Sequence, residues 1–275
     1  NKLDLQTKYY TYGLSAPRGR ILDINGNIIV DNIKKRVIVY EKNKNISKAQ
    51  ELVVAKKLSK YLKDNYTISE DELAFYIFNK SNNIKLFLTS DEYHKLKMNI
   101  YSYNDAKDIA IKYIKENLIN NISIEEKKIA KIYNLMNKDY SYDKKVIFSN
   151  VTDEEYFKII NESIPGVSGG YIYERIYPYE DLLRSILGNT GKINKDNKDD
   201  YLNDNYMLSD IVGISYLEKE YEKELRGKKA KYEVLSDGSL KLVKNEVSGS
   251  NITLNIDINI EKELSNILKK YIYDT

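Results

Sequence analysis

Apolar residues recur along this chain with two different periods, and the places where the period changes divide it. Between residues 20 and 40 the pattern alternates, which predicts strands. Residues 20–23 and 27–30 flank Asn25-Gly26, a pair that accepts positive φ at little cost and signals a hairpin. Residues 36–40 (Arg-Val-Ile-Val-Tyr) predict a further strand. From about Asn45 to about Ser163 the period becomes helical. Ser47 and Gln50, Ser69 and Glu72, Thr89 and Glu92, Ser123 and Glu126, and Thr152 and Glu155 all have the capping-box spacing. Asn104 is the expected N-cap of one more helix, which carries Ala106, Ile109, Ala110, Tyr113 and Ile114. Apolar stripes follow the caps: Val54, Leu58, Tyr61 and Leu62; Leu73, Tyr76 and Ile77; Ile129, Tyr133 and Met136; Tyr156, Ile159 and Ile160.

After Pro165-Gly166-Val167 the alternation returns. Residues 170–177 read as a strand, and residues 179–187 as a short helix closed by Gly188. Residues 189–206 are polar and unpatterned, which predicts a solvated loop. Residues 213–227 predict one helix, with Ser215 and Glu218 as a capping box, Leu217, Tyr221 and Leu225 on one stripe, and Gly227 as a left-handed C-cap. A hairpin follows, with strands 231–235 and 240–244 around Asp237-Gly238. A linker at 248–251, a strand at 252–258 and a helix from about 261 to 273 complete the chain. The expected fold class is α+β: a β-rich module, 1–45 and 164–247, interrupted by a mainly helical insertion, 46–163, and followed by a separate piece, 248–275. The two β parts must meet in space, because neither alone buries a sheet face.

The 275 residues suffice for a sizeable core. Charged residues make up 31% of the chain but nearly cancel, to +3, and basic and aromatic residues are interleaved throughout, so no nucleic-acid partner is expected. Lys is the default cation, 38 against six Arg, yet Arg18, Arg20, Arg175 and Arg226 fall inside three short segments. A planar guanidinium fork is not interchangeable with an ammonium, so this distribution points to structural pinning. It predicts that Arg18 or Arg175 pairs with Glu218.

Chemistry is sparse. With no Cys and only His94, on a polar helix start, neither a disulfide framework nor a metal site is expected, and no cofactor either. Ser141-Tyr-Asp-Lys144 fits the Ser-x-x-Lys pattern of acyl-serine enzymes, but its companions, Ser-x-Asn and Lys-Thr-Gly, are missing; Asn189-Thr-Gly-Lys192 has the order wrong. Ser168-Gly169-Gly170 reads as a turn rather than a phosphate cradle. Acidic pairs such as Glu125-Glu126 sit in helix first turns, where the macrodipole favours them. No catalytic residue is expected in this chain. It holds no apolar run of the roughly 20 residues a membrane helix needs, and its first residue is Asn, so a signal or anchor is expected to lie outside it.

Four segments in order resemble the N-terminal module of class B penicillin-binding proteins. Arg18, Gly19, Ile21, Asp23, Asn25 and Gly26 match the family's Arg-Gly-x-Ile-x-Asp-x-Asn-Gly. Arg175, Tyr177 and Pro178 match Arg-x-Tyr-Pro. Gly213, Ser215, Glu218, Tyr221, Leu225 and Gly227 match its Gly-x-Ser-Gly-x-Glu-x-x-Tyr-x-x-x-Leu-x-Gly, and residues 254–261 resemble the strand and helix that open the transpeptidase domain. Tyr216, Ala230 and Val30 depart from it. The resemblance implies a non-catalytic pedestal (1–45 and 164–247), a helical head (46–163) like that of elongation-type members, and the start of a transpeptidase domain (248–275). It further implies a parent with D,D-transpeptidase activity, held at the extracytoplasmic face of the bacterial membrane by a helix not in this chain. Its implied partners are a glycosyltransferase of the shape, elongation, division and sporulation (SEDS) family, scaffold proteins of the elongation complex, and its own transpeptidase domain. The competing readings are a stand-alone helical adaptor or surface-binding module, and an acyl-serine hydrolase using Ser141.

Overall fold

The computed structural model describes residues 9–43, 45–138, 143–194, 197–202, 206–207, 209–236 and 239–273. The chain forms two compact units, one from Asn1–Arg36 and Gly170–Thr275, the other from Val37–Gly169. In chain order it begins with β1 (Tyr9–Tyr12), β2 (Ile21–Leu22) and β3 (Ile28–Tyr40). Helices α1 (Lys48–Ser59), α2 (Glu70–Ser81), α3 (Ser90–Lys97), α4 (Tyr103–Asn117) and α5 (Ile124–Asn137) come next, then β4 (Lys145–Ser149) and α6 (Asp153–Asn161). β5 (Val167–Ile176), α7 (Glu180–Leu187), β6 (Thr190–Lys192), α8 (Lys198–Leu202) and β7 (Ile211–Gly213) lead to α9 (Tyr216–Glu220) and α10 (Glu222–Leu225). β8 (Lys231–Val234), β9 (Leu240–Lys244), β10 (Ile252–Thr253) and α11 (Ile258–Tyr273) end the described chain. The mixture is α+β.

In the Val37–Gly169 unit the helix starts follow local chemistry. Ser47, Ser69, Thr89 and Thr152 each accept from the N3 amide, while the N3 side chain accepts from the cap amide in return. Ser123 makes only the first of these bonds, to Glu126. Ser102, not Asn104, caps α4: Asp105 stands at N3 and performs the glutamate's part with a shorter side chain. The expected stripes supply the core, where Val54, Leu58, Tyr76, Tyr133, Met136 and Ile159 are buried and Tyr133 stands edge-on to Tyr76. Two features escape the helical reading. β4 pairs antiparallel with the end of β3 (Ile38 opposite Phe148), and Glu51 is buried on α1, where Lys42 meets its Oε1 at 2.9 Å. Ser168-Gly169-Gly170 is strand, part of β5, and not the expected turn. The Tyr156 ring lies where a Cβ on Gly169 would stand.

In the other unit the Asn25-Gly26 hairpin joins β2 to β3, with Gly26 at φ 82°. Asp23 braces the turn, its Oδ1 accepting from the Asn25 and Asn27 amides at 2.9 and 2.7 Å. The sequence-distant β pieces pair as β1 with β8, antiparallel, and β10 with β2, parallel. β8 also pairs with β9; Asp237 and Gly238, the expected turn between them, lie outside the described residues. Ile21, Ile29, Val30, Leu183, Leu187, Leu225 and Ile258 form the core.

Several expectations for this unit fail. The 189–206 segment, expected as a solvated loop, contains β6 and α8, and its Ile193, Tyr201 and Tyr206 form a small core with Val212. The last strand has only two residues, and α11 starts at Ile258, three residues before the expected Glu261. The single helix over 213–227 is two short ones broken at Tyr221, which is 39% exposed instead of lying on a buried stripe. Gly227 is not a left-handed cap: Arg226 is the C-cap, and Gly227 has no side chain because the Pro17 carbonyl would stand 2.3 Å from its Cβ.

Replacing Ser102 by Ala removes a reciprocal cap and should cost about 1 kcal/mol in urea unfolding. Asn104→Ala, at the position that the spacing alone selects, should change stability by less than about 0.5 kcal/mol. The reverse order would overturn the assignment of Ser102 as the cap of α4.

Candidate functional site

Glu218 has no access to solvent, and two guanidiniums meet it. Ser215 and Glu218 have capping-box spacing, but Ser215 makes no side-chain cap bond here, so that expectation is corrected. Its hydroxyl instead bonds Asn189, and the Glu218 carboxylate turns inward. Arg18 donates to Glu218 Oε2 from Nε at 3.1 Å and from Nη2 at 2.8 Å. Arg175, on β5, donates from Nε to Oε1 at 2.8 Å. Each carboxylate oxygen therefore has its own arginine, and the pairing joins residues 18, 175 and 218. The side chains of Arg18 and Arg175 are only 9% and 4% exposed.

The cluster extends one helical turn further. Glu222, four residues after Glu218 and on the same face, meets Arg18 Nη1 at 2.8 Å, accepts from the Gly213 amide at 2.7 Å and from the Tyr206 hydroxyl at 3.1 Å. Two arginines face two glutamates, so the cluster is neutral. Asn32 on β3 pins the Arg18 backbone in both directions, donating from Nδ2 to its carbonyl and accepting from its amide. Arg175 Nη1 donates to the Gly19 carbonyl at 2.7 Å. Arg226 stacks on the Tyr206 ring at 3.4 Å, and both Arg226 and Lys229 pair with Asp210.

The electrostatics follow from burial. Burial alone would lower the pKa of Arg18, but Glu218 and Glu222 outweigh it and hold the value above the ordinary one. Burial first, then Glu218, push the Tyr177 phenol up to about 12. Its hydroxyl is 3.4 Å from Glu218 Oε1. Asp23 is lowered: burial works to raise it, but bonds from Asn27, Ile258 and Asn25 prevail.

Of the residues singled out by the sequence, Arg18, Gly19, Arg175, Tyr177, Gly213, Glu218 and Leu225 converge. The Gly19 amide donates to the Leu225 carbonyl at 2.8 Å, and a Cβ on Gly213 would stand 1.8 Å from the Glu218 carbonyl. Asp23 and Gly26 serve the hairpin, Ser215 the Asn189 contact and Gly227 the passage of Pro17; Pro178 and Tyr221 are exposed and take no part. Glu222, Asn32, Tyr206 and Asp210 escaped the sequence reading. Only Glu222 carried a signal, standing at i+4 from Glu218 with Arg226 at i+8.

This arrangement binds charge to charge and exposes no nucleophile beside a base. Ser141 lies outside the described residues. Among the described residues no group of acidic or histidine side chains could hold a metal, and no helix is long and apolar enough to cross a membrane.

Residues 14–254 match the family described as Penicillin-binding Protein dimerisation domain. The chain is similar to penicillin-binding protein 2A of Bacillus subtilis, 31% identical over 270 residues, covering 93% of this chain and 38% of that protein. It is 26% identical to penicillin-binding protein 2B of Streptococcus pneumoniae over 273 residues, covering 94% and 40%. The chain thus spans about two fifths of these relatives. A solved S. pneumoniae penicillin-binding protein 2B shares the fold with a TM-score of 0.69 at 24% identity, covering 98% of this chain and 44% of that one. So does Helicobacter pylori PBP2, solved in complex with MreC, with a TM-score of 0.56 at 16% identity over 96% and 38%.

Glu218→Ala strands the buried Arg175 guanidinium, while Arg18 keeps Glu222, and should cost about 3–5 kcal/mol in urea unfolding. Arg18→Ala should cost a similar amount, because Arg175 still neutralises Glu218 but the buried Glu222 loses its cation. A loss below about 1 kcal/mol for Glu218→Ala would show that the clamp does not hold the unit together. Tyr177 supplies a pH dependence. A free phenol titrates near pH ~10 and the folded one near 12. The unfolded chain therefore releases this proton first, and stability present below pH ~10 is lost as pH rises towards ~12. Tyr177→Phe should flatten this alkaline loss in chemical unfolding at fixed pH values. An unchanged slope would refute it.

Proposed function

The chain belongs to the penicillin-binding protein dimerisation-domain family, and from that membership we propose that it is the non-catalytic pedestal and head of a membrane-anchored peptidoglycan D,D-transpeptidase. The Asn1–Arg36 and Gly170–Thr275 unit serves as pedestal, with its last residues opening the transpeptidase domain, and the helical Val37–Gly169 unit as head. The observation that carries this reading is the neutral Arg18, Arg175, Glu218 and Glu222 clamp. It spends its charges on joining distant chain segments and offers none to a substrate.

The C-terminal helix supports the same reading. Ile260, Leu264, Ile267, Leu268 and Tyr271 of α11 are exposed and recur at helical spacing. That is the face a transpeptidase domain following in the chain would cover. A relative 29% identical over 136 residues, MrdA of Salmonella typhimurium, is a peptidoglycan D,D-transpeptidase.

The site of action on this reading is the extracytoplasmic face of the membrane, with the anchoring helix outside this chain. The partners are a SEDS-family glycosyltransferase and scaffold proteins of the elongation complex. The fold shared with H. pylori PBP2, which was solved with MreC, supports the scaffold contact.

Fluorescent penicillin should leave the 275-residue chain unlabelled and should acylate a serine beyond residue 275 in the full-length protein. Acylation of Ser141 in the short chain, or a full-length protein that never labels, would refute the proposal.

A further inference from the structure

The pedestal unit contains a cavity of about 1000 Å³, at the upper end of the ~300–1,000 Å³ typical of ligand pockets. Among its described lining side chains eight are cationic and one, Asp210, is a carboxylate. The whole chain carries only +3, so the positive charge is concentrated here rather than diluted over a lysine-rich surface. Part of it is already answered. Arg18 and Arg175 face Glu218 and Glu222, while Arg226 and Lys229 share Asp210.

Lys228, Lys231 and Lys244 are not answered. Among the described residues none of the three has an ion pair. Lys231 and Lys244 are direct partners across β8 and β9, and Tyr12 on β1 stands opposite Lys231 on its other side. All three residues line the cavity. Like charges directly opposite each other destabilise a sheet. A bulge beside the pair leaves Val243 as the extra residue of β9, and the Lys231 ammonium leans on the Tyr10 ring at 3.9 Å, a contact that does not neutralise it. Glu233, two positions along β8, stands opposite Lys241 in the strand register. A second observation comes from the same cavity lining. Arg175, nine-tenths buried and lining the cavity, leaves Nη2 without any hydrogen-bond partner. An opposed lysine pair and an unpartnered guanidinium donor line one cavity, and an anionic acceptor would suit both.

We propose that this cavity seats an extended acidic segment of a partner protein. Its carboxylates would take Lys228, Lys231 and Lys244. A peptide is favoured over a phosphodiester chain because Leu14, Met207 and Ile211 give the cavity an apolar wall that a featureless polyanion would leave uncovered. In addition β9, which carries Lys244, is the outer strand of the β1–β8–β9 sheet among the described residues, so its edge can pair with an added strand. This inference goes beyond the transpeptidase reading and stands on the pedestal unit alone; penicillin labelling of the full-length protein is unaffected by its outcome.

The test is fluorescence anisotropy of the 275-residue chain with a fluorescein-labelled octapeptide of alternating glutamate and leucine. The expected result is salt-sensitive binding that weakens at least tenfold in the double variant Lys231→Ala, Lys244→Ala. The thermal midpoint of that variant should be equal or higher, since the repelling pair is gone. Replacing every glutamate of the peptide by glutamine should abolish binding. Should the double variant fail to fold, Lys228→Ala, outside the strands, should weaken binding at least threefold. Unchanged affinity in a folded variant, or equal binding of the glutamine peptide, overturns the site. Displacement of the peptide by phosphatidylglycerol vesicles or a glycerol-phosphate oligomer at lower anion concentration overturns the choice of a protein partner.

Discussion

A carboxylate taken wholly out of water must be met by opposite charge and by hydrogen-bond donors, or the fold around it fails. Glu218 is in that position, and the geometry of the pedestal unit is arranged about its needs. Its two oxygens are claimed by residues 200 and 43 positions away along the chain. To bring Arg18 there, the chain after β1 runs so close to the 213–227 segment that the Gly19 amide bonds the Leu225 carbonyl. To turn Glu218 inward, the 213–227 segment breaks at Tyr221 and gives up a regular cap. The choice of arginine follows as well. Arg18 bridges two carboxylates at once, with Nε and Nη2 on Glu218 and Nη1 on Glu222, a planar division of donors that one ammonium cannot make.

A buried ionic cluster of this kind is weak evidence for raw stability, because desolvation consumes much of the attraction. Its stronger consequence is specification. An alternative packing that separated any of the three segments would leave a charge unmet in an apolar interior. The surrounding core is small, seven fully buried apolar residues, and aliphatic contacts of that kind tolerate rearrangement more readily than a carboxylate tolerates losing its partner. The neutral balance of two against two explains how so polar a centre can be enclosed.

How much could be read in advance depended on whether the deciding interaction was local. Helix starts in the Val37–Gly169 unit were legible at Ser47, Ser69, Thr89 and Thr152, since cap and acceptor lie three residues apart on an exposed surface. Ser215 and Glu218 have identical spacing and behave otherwise, because two distant guanidiniums compete for the carboxylate and win. The same failure explains Tyr221. On periodicity it belonged with Leu217 and Leu225, but the face that is buried carries Glu218 and Glu222. The β4 strand and the two-residue β10 have too little sequence of their own to announce a partner more than 100 residues away. Arginine scarcity was the one compositional clue that reached across such distances. In a chain where lysine is the default, each arginine marks a place where geometry matters as well as charge.

The same contrast bears on the lysines. In the Val37–Gly169 unit they sit where a lysine-rich composition would scatter them, and many find a carboxylate: Lys63 with Glu155, Lys131 with Glu72, Lys42 with Glu51. At Lys228, Lys231 and Lys244 this matching stops among the described residues, although Glu233 and Glu246 are nearby in sequence; Glu233 stands opposite Lys241 across the strands and Glu246 pairs with Lys34. Composition can account for many lysines but not for two placed face to face on adjacent strands, beside a bulge, lining the same cavity as a guanidinium with an idle donor. The centre of the unit is built so that no charge is left over, while its cavity retains several. A fold that balances buried charge so closely at Glu218 has the means to balance it at Lys231 and Lys244, and the surplus there is best understood as the half of an interaction that this chain supplies.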